Sequence, residues 1–312
     1  MSSRKLIDAL KHYKGLTRKS CIRVLANIFT TECKYDDAGW FKVSNDEFIV
    51  VSADGITEDL VKADPLRAGF YSVLANVNDI VAKGAKPVGF AGVIASKNHE
   101  IRLKLTKGIK KAIDIYGLMI LKMHAHPDAN FESVSGTLIG VAKEIIPSST
   151  AKINDKIVIG IDTNGEFGTN GWVRTFDSIR KLNKEEVFKR INAIIQIAKK
   201  KFANATRDIS APGILGSLAM LCESSLLGAV VKIEDIPKPA NVELEKWLTC
   251  YPSFGFIITT SKPKECIEIL RESGYEAKVV GEIVKERQIK VEYLGEHEIF
   301  LDLEKESIFG KP

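Results

Sequence analysis

The stretch DPLRAGFYSVLANVNDIVAKGAKP, residues 64–87, contains a helix with both ends marked by the sequence. Asp64 is a favourable N-cap, Pro65 occupies the first helical position, and Gly84 follows the last turn. Between these ends, apolar residues recur at helical spacing on one face: Phe70, Val73, Leu74, Val77, Ile80 and Val81. The stretch therefore predicts a long amphipathic helix, and this helix also carries Asn76 and Asp79 one turn apart.

Strand-like segments surround this helix. In the first half of the chain they lie at 47–54, 87–95, 117–124 and 134–142, with a second helix at about 100–116. A polar connection at 143–156 leads to a second set, with strands at 156–162, 255–260, 277–283 and 288–294 and helices at about 184–203, 213–227 and 263–274. Because neither half alternates regularly between strand and helix, the pattern predicts an α+β fold of two domains, 1–146 and 147–312.

The amino-acid composition indicates the class of protein to which the chain corresponds. With 45% apolar residues, 27% charged residues and a net charge of +5, the chain resembles a globular protein. Its basic runs are typical of solvated faces, so we expect no nucleic-acid partner. No apolar run approaches the roughly 18 residues that cross a bilayer, and the N-terminus is too charged for a signal peptide, so we expect a cytoplasmic protein without a membrane partner. Five scattered cysteines without a C-x-x-C pair favour reduced thiols.

Acidic side chains stand at the ends of the predicted elements. They are Asp36 and Asp37 in KYDDAGW, Asp54 before Gly55 at a strand end, Asp79 in the long helix, and Asp208 ahead of a helix start. Taken singly, each is explained by a turn, a strand end, a solvated face or an N-cap. Taken together, they predict oxygen ligands converging on Mg²⁺, which binds through a few carboxylates and nucleotide phosphates. The sequence has no G-x-x-x-x-G-K-[ST] loop.

The stretch KMHAHPDANF, residues 122–131, places His124, His126 and Asp128 at alternate positions. In a strand, alternate side chains share one face. Binuclear zinc hydrolysis is disfavoured because the chain has only five histidines and position 129 is alanine, whereas a mononuclear site of two His and one Asp remains open. A structural polar loop and a polar edge around other chemistry are the alternatives.

The order of these motifs resembles the aminoimidazole ribonucleotide (AIR) synthetase superfamily, the PurM-like proteins. The segments that carry the resemblance are KYDDAGW, VVSADGI, ANVNDIVAKGAKP and SGTLIGVA, followed by NDKIVIGIDTNG, RDISAPGILGS and YPSFGF. The superfamily includes thiamine-monophosphate kinase, selenophosphate synthetase and HypE. Within it, DISAPGILGS, YPSFGF and HAHPD make the chain similar to the methanogenesis marker protein 2 group of AIR synthase-related proteins.

The resemblance implies a two-domain α+β subunit with a C-terminal α/β sandwich. It implies a homodimer in which paired N-terminal domains build a barrel, with ATP in a cleft at that interface. Phosphoryl transfer is mostly positioning and charge neutralisation by Mg²⁺ and basic groups. The implied metal-binding residues are Asp36, Asp37, Asp54 and Asp79; the implied cofactor-binding residues are Gly55, Asn76, Asp79 and Asp208; the implied catalytic residues are His124, His126 and Asp128.

Three positions depart from the family pattern. Lys122 and Met123 stand where the family often has two glycines, and Pro212 replaces the second acid of the D-x-S-D-G pattern. The leading hypothesis is a Mg²⁺- and ATP-dependent kinase, synthetase or ligase-like enzyme that activates a small-molecule acceptor, which no motif identifies. The alternative, motivated by these departures, is a nucleotide-binding maturation or accessory factor with reduced catalysis.

Overall fold

A computed structural model describes residues 2–29, 33, 35–44, 46–168 and 172–309. The first sheet has five strands in the order β1-β2-β5-β3-β4, and only β3 and β4 run parallel. Their bounds are β1 Gly39–Ser44, β2 Glu47–Ile56, β3 Lys86–Ala95, β4 Met119–His126 and β5 Ser133–Ala142. The four strands predicted in this half are confirmed, and β1 is an addition that the sequence pattern did not indicate.

Three helices pack on one face of this sheet: α4 Glu58–Ala63, α5 Pro65–Ala82 and α6 His99–Tyr116. The predicted helix ends are confirmed for α5, because the Asp64 carboxylate accepts from the backbone N–H of Arg67 at 3.0 Å. After the helix, Gly84 adopts a φ of 77°, a left-handed conformation that favours glycine. Most of α5 is buried, including its polar residues Asn76 and Asp79.

The second sheet has seven strands in the order β15-β14-β10-β13-β6-β12-β9. Their bounds are β6 Lys156–Ile161, β9 Ala205–Asp208, β10 Gly228–Lys232, β12 Gly255–Thr260, β13 Glu276–Val284, β14 Gln288–Tyr293 and β15 Glu296–Asp302. A small three-stranded sheet beside it contains β7 Glu166–Phe167, β8 Arg174–Asp177 and β11 Cys250–Pro252. The four strands predicted in this half are present.

Helices cover both faces of the seven-stranded sheet. They are α7 Lys184–Lys199, α8 Gly213–Ser225, α9 Leu244–Leu248 and α10 Pro263–Glu272, with 3₁₀ turns at Ile179–Lys181 and Ile233–Asp235. The side chains of β6 point alternately to the two faces of the sheet. Val158 packs in one core with α7 and α10, whereas Ile157 and Ile159 pack in a second core with α8. This half is therefore the predicted α/β sandwich, and the two halves together form the predicted mixed α+β fold.

The N-terminal segment forms α1 Ser3–Lys11, α2 Lys14–Thr17, a 3₁₀ turn Arg18–Cys21 and α3 Ile22–Ile28. Leu6, Ile7 and Leu10 are buried in the core of the second sheet, not the first. The segment thus crosses from the second half towards the first. The division at residue 146/147 stays a prediction, and these contacts show that residues 3–11 pack with the later half.

The five-stranded sheet is open in the described chain, because its end strands β1 and β4 do not pair. The described residues of one chain therefore form no closed barrel. Among the described residues, every helix is too short or too polar to cross a lipid bilayer.

Candidate functional site

Three carboxylates from distant parts of the chain meet between the two sheets. Asp37 precedes β1, Asp79 lies in the second half of α5, and Asp208 ends β9. Each offers an oxygen atom, and these atoms lie within 4.8 Å of one another. We call Asp37, Asp79 and Asp208 the carboxylate trio. The fold brings together acids that are up to 171 positions apart in the sequence.

Asp79 is held by strand β2. The hydroxyl oxygen of Ser52 lies 2.6 Å from its Oδ2 and 2.9 Å from Oδ1 of Asn76, whose amide nitrogen donates to the carbonyl oxygen of Ser72 at 2.8 Å. Asn76 thereby positions Ser52, and Ser52 positions Asp79. Burial, with the negative charges of neighbouring carboxylates, raises the pKa of Asp79 well above its usual value.

Asp208 has an oxygen atom without a protein partner. Its backbone N–H donates to Oδ2 of Asp37 at 3.2 Å, whereas its own Oδ2 is buried and makes no hydrogen bond in the described chain. Burial and the charge of Asp37 raise the pKa of Asp208 well above its usual value. A buried, unpaired carboxylate oxygen is costly, and so is a cluster of like charges.

The trio fits a divalent cation on three counts. Its donor atoms are all carboxylate oxygens, which hard cations such as Mg²⁺ prefer. The free oxygen of Asp208 is available as a ligand. Finally, burial and the charges of neighbouring carboxylates raise the pKa values of Asp79 and Asp208, and a bound cation would stabilise their charged forms.

Asp36 plays a different structural part from its neighbour Asp37. Its Oδ1 accepts from Nζ of Lys83 at 2.6 Å, and its Oδ2 accepts from the backbone N–H of Ser148 at 2.7 Å. Burial alone would raise the pKa of Asp36, but the charges of Lys83 and Arg207 and these hydrogen bonds hold it below its usual value. No oxygen of Asp36 belongs to the group of ligand atoms that lie within 4.8 Å of one another, so the structure leaves Asp36 outside the trio.

Lys83 and Arg207 are buried cations that pair with Asp37 of the trio. The fully buried ammonium of Lys83 also lies 3.3 Å from Oδ2 of Asp37 and donates to the carbonyl oxygen of Thr206 at 2.8 Å. Arg207 pairs with Oδ1 of Asp37 at 2.9 Å. The sequence did contain a signal for Lys83, since it follows Asp79 by four residues on the stripe that also holds Asn76.

Asp54 and Gly55 end strand β2 at the mouth of a cavity of about 260 Å³ next to the trio. Arg18 and Lys19, from the N-terminal 3₁₀ turn, line the same cavity. Lys19 is close enough to Asp208 to favour its charged form. Asp54 is exposed and lies outside the trio, but its charge acts on Asp79. Sequence reasoning missed Arg18 and Lys19, because a basic run is typical of a solvated face.

His124 and His126 lie on the edge strand β4 with their rings side by side. Their ring centroids are 4.7 Å apart, so the predicted shared face is present. Both are exposed, and Asp128 is exposed in the turn that follows the strand. His124 pairs across the sheet with Val93, which pairs in turn with Ser135.

The histidine face is the open face of the sheet. A Cβ atom added at Gly136 would lie 3.0 Å from the carbonyl oxygen of Ser72 in α5, so Gly136 and its partner Asp54 face the helices. Ser135, one residue earlier, faces the opposite way. Val93 and His124, which follow Ser135 across the paired strands, face the same way as Ser135. Within one chain, the sheet therefore separates His124 and His126 from the carboxylate trio.

Comparison with known proteins gives sequence matches over most of the chain. The family models described as AIR synthase related protein, N-terminal domain and C-terminal domain match residues 35–142 and 138–294. The uncharacterized protein MJ0640 of Methanocaldococcus jannaschii is 34% identical over 324 aligned positions, which cover 99% of this chain and 100% of that protein. The narrower assignment to the methanogenesis marker protein 2 group stays a prediction.

Solved structures share the fold at low sequence identity. Thermotoga maritima PurL complexed with ATP superposes with a TM-score of 0.72 at 18% identity, over 84% of this chain and 44% of that one. This chain thus spans less than half of that PurL chain. AaThiL complexed with AMPPCP and TMP has a TM-score of 0.69 at 16% identity, over 89% of this chain and 94% of that one.

Proposed function

This chain belongs to the AIR synthase related protein family, and on that premise we propose that it is a Mg²⁺- and ATP-dependent enzyme that activates a small-molecule acceptor by phosphoryl transfer. The observation that carries the proposal is the carboxylate trio with its unpaired Asp208 oxygen. The structural neighbours complexed with ATP and AMPPCP support a nucleotide as the ligand of this fold. No lysine-tipped glycine loop is needed for that chemistry.

In this proposal, each residue near the trio has a distinct task. Asp37, Asp79 and Asp208 would hold Mg²⁺, which would neutralise charge on the ATP phosphates. Asn76 and Ser52 fix the orientation of Asp79. Asp54, near the end of β2, would bind a metal ion that carries the phosphates, and Gly55 would leave room for the nucleotide beside it. Asp36 would act through Lys83, which it holds against Asp37.

The acceptor would occupy the cavity of about 260 Å³ beside the trio. Arg18 and Lys19 give one wall of this cavity a positive charge, while Ser210 and Thr57 offer hydroxyl groups. These side chains favour an acceptor that carries an anionic group and keep it next to the transferred phosphoryl group. The N-terminal 3₁₀ turn would thus supply the acceptor contacts.

The proposal includes a homodimer formed through the open face of the five-stranded sheet. Phe41 and Val93 lie on this face with 56% and 39% of their surface exposed, and neighbouring strands add further apolar residues. Two such sheets, face to face, would complete the barrel that one chain lacks. His124 and His126 lie on the same face, so their imidazoles would enter catalysis only across this interface.

The domain division at 146/147 is part of the same proposal, with residues 1–146 supplying the ATP-binding and dimerisation unit. We assign α1 an additional role as an anchor, since it packs on the second half and carries the Arg18–Cys21 turn towards the first. Limited proteolysis tests this division. Cleavage should fall first in the polar connection at 143–156, and a first cleavage inside α5 or β6 would contradict it.

Phosphate release tests the enzymatic proposal. We expect the protein to hydrolyse or transfer the γ-phosphate of ATP when Mg²⁺ and a small-molecule extract are present, and Asp79→Asn to abolish this. Asp59→Asn is the matched control, because Asp59 is an exposed acid on the neighbouring helix α4 and does not line the site. Equal activity of wild type and Asp79→Asn would refute the assignment.

A catalytically reduced, nucleotide-binding maturation or accessory factor is the second candidate. Two observations favour it: Lys83 and Arg207 already neutralise much of the charge of Asp37, and the histidines lie on the far face of the sheet. This candidate predicts Mg²⁺-dependent binding of ATP without turnover in any extract. Turnover that needs Asp79 would exclude it.

A further inference from the structure

A second cavity, of about 710 Å³, lies at the opposite end of α5 from the trio's Asp79. It is enclosed by the first turns of α5, the last turns of α6 and the segment 177–184 that leads into α7. None of the trio residues lines it. Its volume falls within the roughly 300–1,000 Å³ typical of cavities that enclose small organic ligands.

Arg67 is the buried cation of the described cavity lining, and Asp177 is an equally buried acid in the same lining. Its side chain is 7% exposed, and its Nε and Nη1 make no hydrogen bond in the described part of the chain. Nε of Arg67 lies 3.6 Å from Oδ2 of Asp64, and Nη2 lies 3.9 Å from Oδ2 of Asp177. Both acids therefore form long ion pairs with Arg67, but neither accepts a hydrogen bond from its side chain. A buried guanidinium with unused donors is costly, and its planar donors suit a phosphate or carboxylate group.

The remaining charges of the cavity leave a positive excess. Asp177 pairs with Arg180 at 2.8 Å, and Asp114 pairs with Lys110 on the outer surface of α6. By contrast, Lys111 and Lys184 line the cavity and form no ion pair within the described residues. An anion bound at Arg67 would therefore meet two further ammonium groups, together with the carboxylates of Asp64 and Asp177 that already lie beside the guanidinium.

The rest of the wall is apolar. Leu66 and Phe70 contribute from α5, Ile115 from α6, and Leu182 from the segment before α7. A simple inorganic anion would leave these side chains without contacts. The lining instead matches a molecule with an apolar body and one charged end.

We propose that this cavity is a second ligand site, which binds a small organic anion with its phosphate or carboxylate group at Arg67 and its apolar part against Phe70, Ile115 and Leu182. The site needs neither Mg²⁺ nor the trio, so it stands independently of the proposed phosphoryl transfer. Tyr71 of α5 lines both cavities, so a ligand bound here would contact a side chain that also lines the acceptor cavity.

The test uses phenyl phosphate, benzoate and neutral benzyl alcohol as probes. Each is titrated by calorimetry in EDTA, which removes divalent cations from the trio. We expect at least one of the two anions to bind and benzyl alcohol to bind far more weakly. Binding of phenyl phosphate alone would identify a phosphate-type ligand, and binding of benzoate alone a carboxylate-type ligand. Binding of neither anion overturns the proposal.

Variants locate the binding in this cavity. Lys111→Glu and Lys184→Glu should each weaken binding of the anion about tenfold, the equivalent of one lost contact of about 1.4 kcal/mol. Lys107→Glu is the matched control, since it makes the same change of charge one turn earlier on α6 at an exposed position outside the cavity. Equal weakening by all three variants would show general electrostatics and refute the site.

Arg67 needs a separate measurement because its removal could disturb folding. Arg67→Lys keeps the charge but loses the planar donors, so it should weaken the anion while the thermal midpoint stays near that of wild type. A crystal soaked with the tighter anion should place the anionic group within hydrogen-bond distance of Arg67. Electron density elsewhere, with this cavity empty, would contradict the assignment.

Discussion

Replacement of Lys83 by methionine is the sharpest test of how the centre of the molecule is held together. The side chain of Lys83 is fully buried, and its Nζ contacts Asp36 at 2.6 Å, Asp37 at 3.3 Å and the carbonyl oxygen of Thr206 at 2.8 Å. Methionine fills a similar volume without the charge. Lys83→Met therefore leaves two buried carboxylates and one carbonyl oxygen without their donor.

The expected loss follows from those distances. At an effective dielectric constant of about 20, the two ion pairs are worth about 6 and about 5 kcal/mol of gross Coulomb energy. The desolvation cost of the ammonium, which the variant no longer bears, offsets part of this. Removing one partner of a buried ion pair costs about 3–5 kcal/mol net, and we expect a fall in the thermal midpoint on the order of 10 °C.

Thermal unfolding followed by circular dichroism measures this loss. Lys86→Met is the matched control, because Lys86 is exposed at the start of β3, three residues away. Adding Asp36→Asn to Lys83→Met should recover part of the loss, since the buried charge left unpaired disappears. Equal unfolding temperatures of Lys83→Met and Lys86→Met would show that the ion pairs of Lys83 do not stabilise the fold.

Three further outcomes are expected. Without divalent cations, the stability that Asp208 contributes should fall as the pH rises above 3.8, its usual pKa, because the unfolded chain releases that proton before the folded one. In urea titrations, the free energy of unfolding of wild type minus that of Asp208→Asn should therefore decrease over this pH range, and a constant difference would contradict the raised pKa. The double change His124→Ala and His126→Ala should abolish ATP turnover while leaving circular dichroism unchanged, and full activity would remove the catalytic role. In the native protein, a thiol reagent should modify the exposed Cys21 but not Cys222, because burial raises the pKa of the Cys222 thiol. Equal rates of modification at the two cysteines would show that the reagent reaches the core in which Cys222 packs.

Local signals explain which parts of the fold the sequence could predict. Helix α5 is marked at both ends and periodic between them, so Asp64, Pro65 and Gly84 determined its limits without tertiary information. The strand β9, only four residues long, gave no such signal, and Asp208 was seen only as a residue ahead of a helix start. Short strands depend on their neighbours in the sheet more than on their own residues.

The candidate site was harder to predict, for two physical reasons. Alternation shows that His124 and His126 share a face, but which face depends on the pairing of β4 with β3, and a slip of one residue would reverse it. Lysine is seldom fully buried, so the position of Lys83 on the helical stripe with Asn76 and Asp79 did not reveal that its side chain is fully buried. Convergence of Asp37, Asp79 and Asp208 required the whole two-domain arrangement.

The central claim is that acids distant in sequence form one cation-bearing nucleotide site. Calorimetric titration of ATP into wild type and Asp79→Asn, each with Mg²⁺ and with EDTA, tests it most directly. We expect ATP to bind wild type only with Mg²⁺, and Asp79→Asn to lose this binding. Equal affinity in EDTA, or undiminished affinity in Asp79→Asn, would contradict it.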